Sequence, residues 1–199
     1  MTEAYLRDIS FLVVDDNAFM RTIIRRILAS LEAKEVKEAE DGADALKFLR
    51  LYSPDIIISD WVMDPIDGIE MTRMIRNNSD SKNPFIPIIM LTAHSEFSRI
   101  TEARDAGVNE FVIKPVSVKS LFSRIQAVIE RPRAYVKVGN YFGPDRRRKQ
   151  VDVHDKEKRA STLPTDMETS GSLSQDDANT FMGAEGKARG TENPPGQES

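Results

Sequence analysis

The sequence predicts an α/β domain, a doubly wound five-stranded parallel sheet covered by helices on both faces, on three observations. The apolar runs SFLVV at 10–14, III at 56–58 and IPIIML at 86–91 do not alternate with polar residues, as expected of strands buried on both sides. Between such runs, apolar residues recur at spacings of three and four, the period of one helix face. Strands and helices take turns at short intervals, so the connections are helical, right-handed crossovers between parallel strands.

Strand one, Ser10 to Val14, breaks at Asp15 and Asp16, and Asn17 can cap the helix that follows. That helix buries Met20, Ile23, Ile24, Ile27, Leu28 and Leu31. Strand two, Val36 to Glu40, is short and polar, which suits a sheet edge, and the Asp41-Gly42 pair turns the chain into helix two, Ala43 to Leu51. Pro54 separates it from strand three, PDIIISDW, which ends on Asp60. Pro65 and the Asp67-Gly68 pair mark the next loop, ahead of helix three at Ile69 to Arg76 with Met71, Met74 and Ile75 pointing inward. Strand four spans Ile86 to Leu91. Helix four runs from Glu96 to Ala106 and stops at Gly107. VNEFVIK gives strand five before Pro115, and helix five, Val118 to Glu130, carries Leu121, Phe122, Ile125, Val128 and Ile129 on one face.

The 199 residues are 40% hydrophobic and 30% charged, enough for one compact domain with additional segments. With no cysteine, disulfide frameworks and thiolate metal sites are excluded, and His94 and His154 are too far apart in sequence to argue for a zinc site. The chain opens without a basic, then apolar, leader and has no apolar run of membrane-spanning length, so the expectation is a soluble cytoplasmic protein. The net charge of −4 hides three blocks: residues 1–130 carry −5, residues 131–150 carry +6 and residues 151–199 carry −5.

In the strand order 2-1-3-4-5, which is flavodoxin-like, strands one and three are neighbours and the crevice opens at the carboxyl ends of the strands. Asp15, Asp16 and Asp60 then share that crevice. Three carboxylates this close repel, which calls for a divalent cation; hard oxygen donors suit Mg²⁺, and Lys114 at the end of strand five adds positive charge. Each residue also has a plainer reading: Asp60 as a turn former, Thr92 as a strand end or helix cap, Phe111 as core, Lys114 as surface charge.

Over residues 8–130 the chain resembles the receiver domain of two-component response regulators, the chemotaxis-regulator-like, stand-alone kind. The resemblance rests on VVDDN, on SDW and the DG turn with Asp60 and Gly68, on LTA at Leu91 to Ala93, and on AGVNEFVIKP ending in Lys114 and Pro115. It implies that Asp60 takes a phosphoryl group from a phosphohistidine on a sensor kinase or a histidine phosphotransfer protein. It implies Mg²⁺ held by Asp15, Asp16 and Asp60 with the Val62 carbonyl, and Thr92 and Lys114 on the phosphoryl oxygens. Phe111 would be the ring that swings inward, Lys114-Pro115 a cis peptide, and helix four, strand five and helix five the face read by a downstream protein; a phosphorylation-dependent homodimer is a further expected partner state. The chain departs from the family pattern at Asp64, which stands between Met63 and Pro65. Neither Val62 nor His94, each two residues beyond a site residue, would orient an attacking water, so the aspartyl phosphate is expected to be moderately long-lived.

Residues 131–150 form a basic, aromatic connector. Arg131, Arg133, Tyr135, Lys137, Tyr141, Phe142, Arg146, Arg147, Arg148 and Lys149 interleave charge with rings, the ingredients of a nucleic-acid surface or of an acidic protein docking site. The same block can also pack back on the acidic receiver. Residues 151–199 are polar and charged and are expected to be disordered. Two classes of function follow: a receiver that passes its state to a partner protein, and a phosphorylation-gated nucleic-acid binder.

Overall fold

The computed structural model describes residues 6–78, 81–93, 97–139 and 141–146. The elements are β1 (Ser10–Val14), α1 (Ala18–Ser30), β2 (Glu35–Ala39), α2 (Gly42–Leu49), β3 (Ile56–Asp60), α3 (Gly68–Asn77), β4 (Ile88–Thr92), α4 (Phe97–Ala106), β5 (Glu110–Ile113), α5 (Val118–Glu130), β6 (Tyr135–Val138) and β7 (Tyr141–Pro144). The first five strands form one parallel sheet in the order β2-β1-β3-β4-β5. This is the doubly wound order expected.

Alternation along each central strand divides the core between two layers of helices. Phe11 and Val13 of β1, Ile56 and Ile58 of β3, and Ile89 and Leu91 of β4 pack with Ile24 and Leu28 of α1 and with Leu121, Ile125 and Val128 of α5. Leu12, Val14, Ile57 and Ile88 face the other way, onto Ala45 of α2 and Met71 and Ile75 of α3. A third cluster, around Trp61, Met90 and Phe111, is closed by Ile100, Ala103 and Ala106 of α4. β2 has a partner on one side only, and of its five residues only Ala39 is buried, which is why it reads as polar.

Element ends follow their caps. Asn17 Oδ1 accepts from the N–H groups of Phe19 and Met20, Asp41 from Asp44, Asp67 from Glu70, and Ser117 closes a capping box with Ser120. α4 ends at Gly107, whose φ of +101° lies in the left-handed region that glycine tolerates. Strand four starts at Ile88, later than expected, because Pro87 has no N–H to give the ladder and contributes only its carbonyl, to Ile57 N–H. Met74, expected inward, is 37% exposed: α3 turns Met71 and Ile75 to the sheet and leaves Met74 at its edge. Lys114-Pro115 is cis, and so is Asp64-Pro65.

Residues 131–146, expected to be a connector, carry an antiparallel hairpin in which Val138 pairs with Tyr141 and Tyr135 with Pro144. Arg147, Arg148, Lys149, the tail at 151–199 and His94 lie outside the described residues. No helix among the described residues is long and apolar enough to cross a membrane.

Candidate functional site

β1 and β3 are adjacent, so the residues that follow or end them are delivered to the same mouth. Asp15, Asp16 and Asp60 each place a carboxylate oxygen within 4.8 Å of the others'. Asp15 is fully buried and Asp60 is 9% exposed, whereas Asp16 faces solvent. The strand ends therefore present two sheltered anions and one at the rim.

Lys114 reaches this cluster from the end of β5. Its Nζ lies 2.9 Å from Asp60 Oδ1 and 3.6 Å from Asp15 Oδ2. The Trp61 N–H donates to the same Asp60 Oδ1 at 2.7 Å, so one oxygen of Asp60 takes both contacts and the other is left to the crevice. On Asp15 the division is sharper. Oδ1 accepts from Asn17 N–H at 2.9 Å, while Oδ2 is buried and has no hydrogen-bond partner among the described residues, Lys114 being within ion-pair range but beyond hydrogen-bond reach. Burial pushes the Asp15 carboxyl above the usual carboxylate range, and the charges of Asp60 and Asp16 push the same way; the Asn17 hydrogen bond and Lys114 oppose this only in part. An orphaned, buried, anionic oxygen facing two further carboxylates is what an oxygen-preferring cation such as Mg²⁺ would complete, so the donor set fits one.

Other local features fix the frame. Gly68 begins α3 against the Asp60 carbonyl, its N–H donates to the Trp61 carbonyl at 2.9 Å, and a Cβ there would collide with the Asp60 carbonyl oxygen. The loop can close this tightly only with glycine. Thr92, buried at the end of β4, accepts the Lys114 N–H on its carbonyl at 2.7 Å, which ties the backbones that carry two of the expected site residues. Phe111 is 2% exposed, its ring already inside the α4-side cluster. Val62 follows Trp61 with its side chain exposed, and Asp64 faces solvent in the same loop.

Arg21 belongs to the site although its sequence context does not announce it. Its Nη1 donates to the Asp15 carbonyl at 2.8 Å and to the Asp16 carbonyl at 3.5 Å, while Nε and Nη2 engage Glu38 and Glu40 on the β2 side. The guanidinium staples the β1–α1 turn to the edge strand and so sets the backbone on which two of the carboxylates sit. The usable signal was its place on the buried side of α1, three residues before Ile24.

Among the described residues, two of the basic side chains around the hairpin are taken up in ion pairs. Arg133 pairs with buried Glu110 at 3.1 Å, and Arg146 pairs with Asp105 at 3.2 Å and stacks 4.0 Å over the Tyr141 ring. Tyr135 and Phe142 pack with Phe85. Arg131 and Lys137 are exposed.

The response regulator receiver domain family matches residues 11–126, more than half of the chain. Over 125 residues the chain is 33% identical to "Chemotaxis protein CheY-3" of Vibrio cholerae, covering 63% of this chain and 95% of that protein. Over 120 residues it is 37% identical to "Chemotaxis protein CheY" of Pseudomonas aeruginosa, covering 60% and 95%. Among solved structures, the chemotaxis response regulator CheY4 of Vibrio cholerae superposes with a TM-score of 0.56 at 30% identity, over 61% of this chain and 98% of that one. The hairpin lies beyond the residues that the family matches. With the parallel five-stranded order and the acidic mouth, these matches establish that the chain belongs to the response regulator receiver family, the phosphoaccepting signalling proteins of two-component systems.

Proposed function

We propose that Asp60 is the phosphoacceptor of this receiver, that Asp15, Asp16 and Asp60 with the Val62 carbonyl hold Mg²⁺, and that Lys114 and Thr92 bind the phosphoryl oxygens. The observation that carries this reading is the three-carboxylate mouth with its orphaned Asp15 oxygen and Lys114 on Asp60. Lys114 and the Trp61 N–H fix the Asp60 carboxylate, leaving its second oxygen to attack phosphorus in line. As the new O–P bond forms, the P–N bond of a phosphohistidine breaks and its electron pair returns to the imidazole. A divalent cation in the mouth would supply charge neutralisation for the equatorial oxygens. Lys114 follows the negative charge outward from Asp60, and Thr92, at the end of the adjacent strand β4, supplies a hydroxyl.

The chain thereby assists its own phosphorylation and dephosphorylation, in the cytoplasm, with a sensor histidine kinase or histidine phosphotransfer protein upstream and a protein target downstream. The protein target is favoured over nucleic acid because Arg133, Arg146, Tyr135 and Phe142 are engaged by the receiver and by the hairpin itself. Domain limits of 1–130 for the receiver, 131–150 for the basic, aromatic connector that carries the hairpin and 151–199 for the tail complete the proposal.

Transfer from a ³²P-labelled phosphohistidine donor tests it. Label should appear only with Mg²⁺ and vanish in Asp60→Asn; label retained in Asp60→Asn refutes the assignment. A label half-life of only seconds in the isolated protein would refute the expected moderately long life of the aspartyl phosphate.

A further inference from the structure

The end of the sheet opposite the carboxylate mouth carries a second organised cluster, and the hairpin is part of it. Asn109, the residue before β5, is its node. Its Oδ1 accepts from Ile88 N–H at 2.9 Å, from Arg76 Nη2 at 3.1 Å and from the Tyr135 hydroxyl at 3.4 Å, while its Nδ2 donates to the Tyr135 oxygen at 3.2 Å. Arg76, on α3, is 3% exposed; it also donates to the carbonyls of Gly107 and Pro84 and lies 5.3 Å from the Tyr135 ring centroid. The rings of Phe85, Tyr135 and Phe142 meet edge to face or tilted at 5.2–5.8 Å.

Hairpin backbone also touches the α4–β5 turn directly. A Cβ on Gly143 would come 2.9 Å from the Gly107 Cα, and one on Gly107 would come 3.2 Å from the Phe142 carbonyl. Arg146 fastens Asp105 of α4, and Arg133 joins Arg124 of α5 on Glu110, the first residue of β5. Phe111 is the next residue. Its ring is packed by Ile100, Ala103 and Ala106 of α4 and by Val108 of the turn. The hairpin thus secures both the strand that carries the ring and the helix that walls its pocket.

We propose that the β6–β7 hairpin is an intramolecular effector of the receiver: docked on Arg76, Asn109 and Gly107, it holds the α4–β5 junction around Phe111 and with it β5, the strand that begins at Glu110 and delivers Lys114 to Asp60. This rests on the phosphoacceptor reading above and adds a regulator to it. Linkage makes the effect reciprocal. Hairpin release lowers the fraction of receiver competent for the phosphoryl group and raises the apparent dissociation constant in inverse proportion to that fraction. Any partner that captures the hairpin therefore reports on, and alters, the state of Asp60.

Trp61 is the only tryptophan and adjoins Asp60, so its fluorescence reads the mouth. Beryllofluoride with Mg²⁺, a phosphoryl mimic, is titrated into the full chain and into Gly143→Val and Phe142→Ala, with amide exchange at 135–138 confirming release. Tyr135→Phe, which keeps the ring and removes the hydroxyl, serves as the milder variant should the others unfold. The expected result is a weakening of about fivefold or more in the released variants, the low end of ordinary coupling, and slower hairpin exchange in wild type when the mimic is bound. Equal affinities in wild type and released variants, or hairpin exchange indifferent to the mimic, overturn the coupling alone. A wild type that does not respond to the mimic overturns the phosphoacceptor reading and the coupling with it.

Discussion

The two ends of the parallel sheet treat buried charge in opposite ways. At the carboxyl ends, Asp15, Asp16 and Asp60 converge, Lys114 pairs with Asp15 and Asp60, and a buried oxygen of Asp15 has no hydrogen bond among the described residues. At the amino ends of β4 and β5, Arg76 spends its guanidinium on two carbonyls, an amide and a ring, and Glu110 has two arginines. The mouth leaves a carboxylate oxygen open to a ligand, whereas Arg76 and Glu110 at the other end are each held by several partners. A buried polar group without a partner costs about 1–3 kcal/mol, so the open Asp15 oxygen is a cost that a bound cation would relieve, while the contacts of Arg76 and Glu110 serve the structure itself.

Substitutions should then act with opposite sign at the two ends. Arg76→Ala removes three hydrogen bonds and the packing under Tyr135, and leaves Asn109 unpaired towards α3; urea unfolding should show a loss of about 3 kcal/mol or more. Arg21→Ala belongs to the mouth but acts on its scaffold. It should cost about 1–2 kcal/mol and weaken Mg²⁺, read from Trp61 fluorescence, about tenfold. A stability loss with unchanged Mg²⁺ affinity would make Arg21 a purely structural residue. Asp15→Asn should stabilise the metal-free protein by about 1 kcal/mol, because a buried anion is replaced by a neutral amide, while weakening Mg²⁺ by at least tenfold, an effect on the order of the loss of a supporting ligand or more.

The same carboxylate gives a pH dependence. The Asp15 carboxyl is raised in the folded protein, so between its unfolded and folded values the native state binds the extra proton. The slope of stability with pH follows protons bound in the unfolded minus the native state, which is negative here. The Asp15 contribution to metal-free stability is therefore fully present below the unfolded value and is lost as pH rises through the folded one. Thermal melts across that range should show Mg²⁺ stabilising more at the higher pH, because the ion binds the ionised form. The smallest effect belongs to Tyr135→Phe, about 1 kcal/mol or less, from one hydroxyl at Asn109.

What was legible in the sequence tracks this contrast. Ile56 to Ile58 and Ile88 to Met90 are buried on both faces, so their lack of alternation announced the parallel sheet directly. Asp15, Asp16, Asp60, Thr92 and Lys114 sit at strand ends, where acidic, hydroxyl and basic residues stand out against apolar runs. Arg21 did not stand out, because an arginine within a helix ordinarily reads as a solvated charge, and its partners Glu38 and Glu40 come from a strand whose polarity suited an edge anyway. The hairpin was hidden by composition. Its basic residues have the composition of a binding surface, although YVKV and YFGP separated by two residues follow the hairpin pattern, with φ of +58° at Gly139. Arg76 was equally silent, since what buries it is three segments far apart in the chain.

The measurement that bears most directly on the incomplete mouth is the intact mass of the full chain after acetyl phosphate and Mg²⁺, followed by mapping of the modified peptide. The account predicts one phosphoryl adduct, dependent on Mg²⁺, located at Asp60 and absent from Asp60→Asn. An adduct that persists in Asp60→Asn, or that maps to another residue, would contradict it.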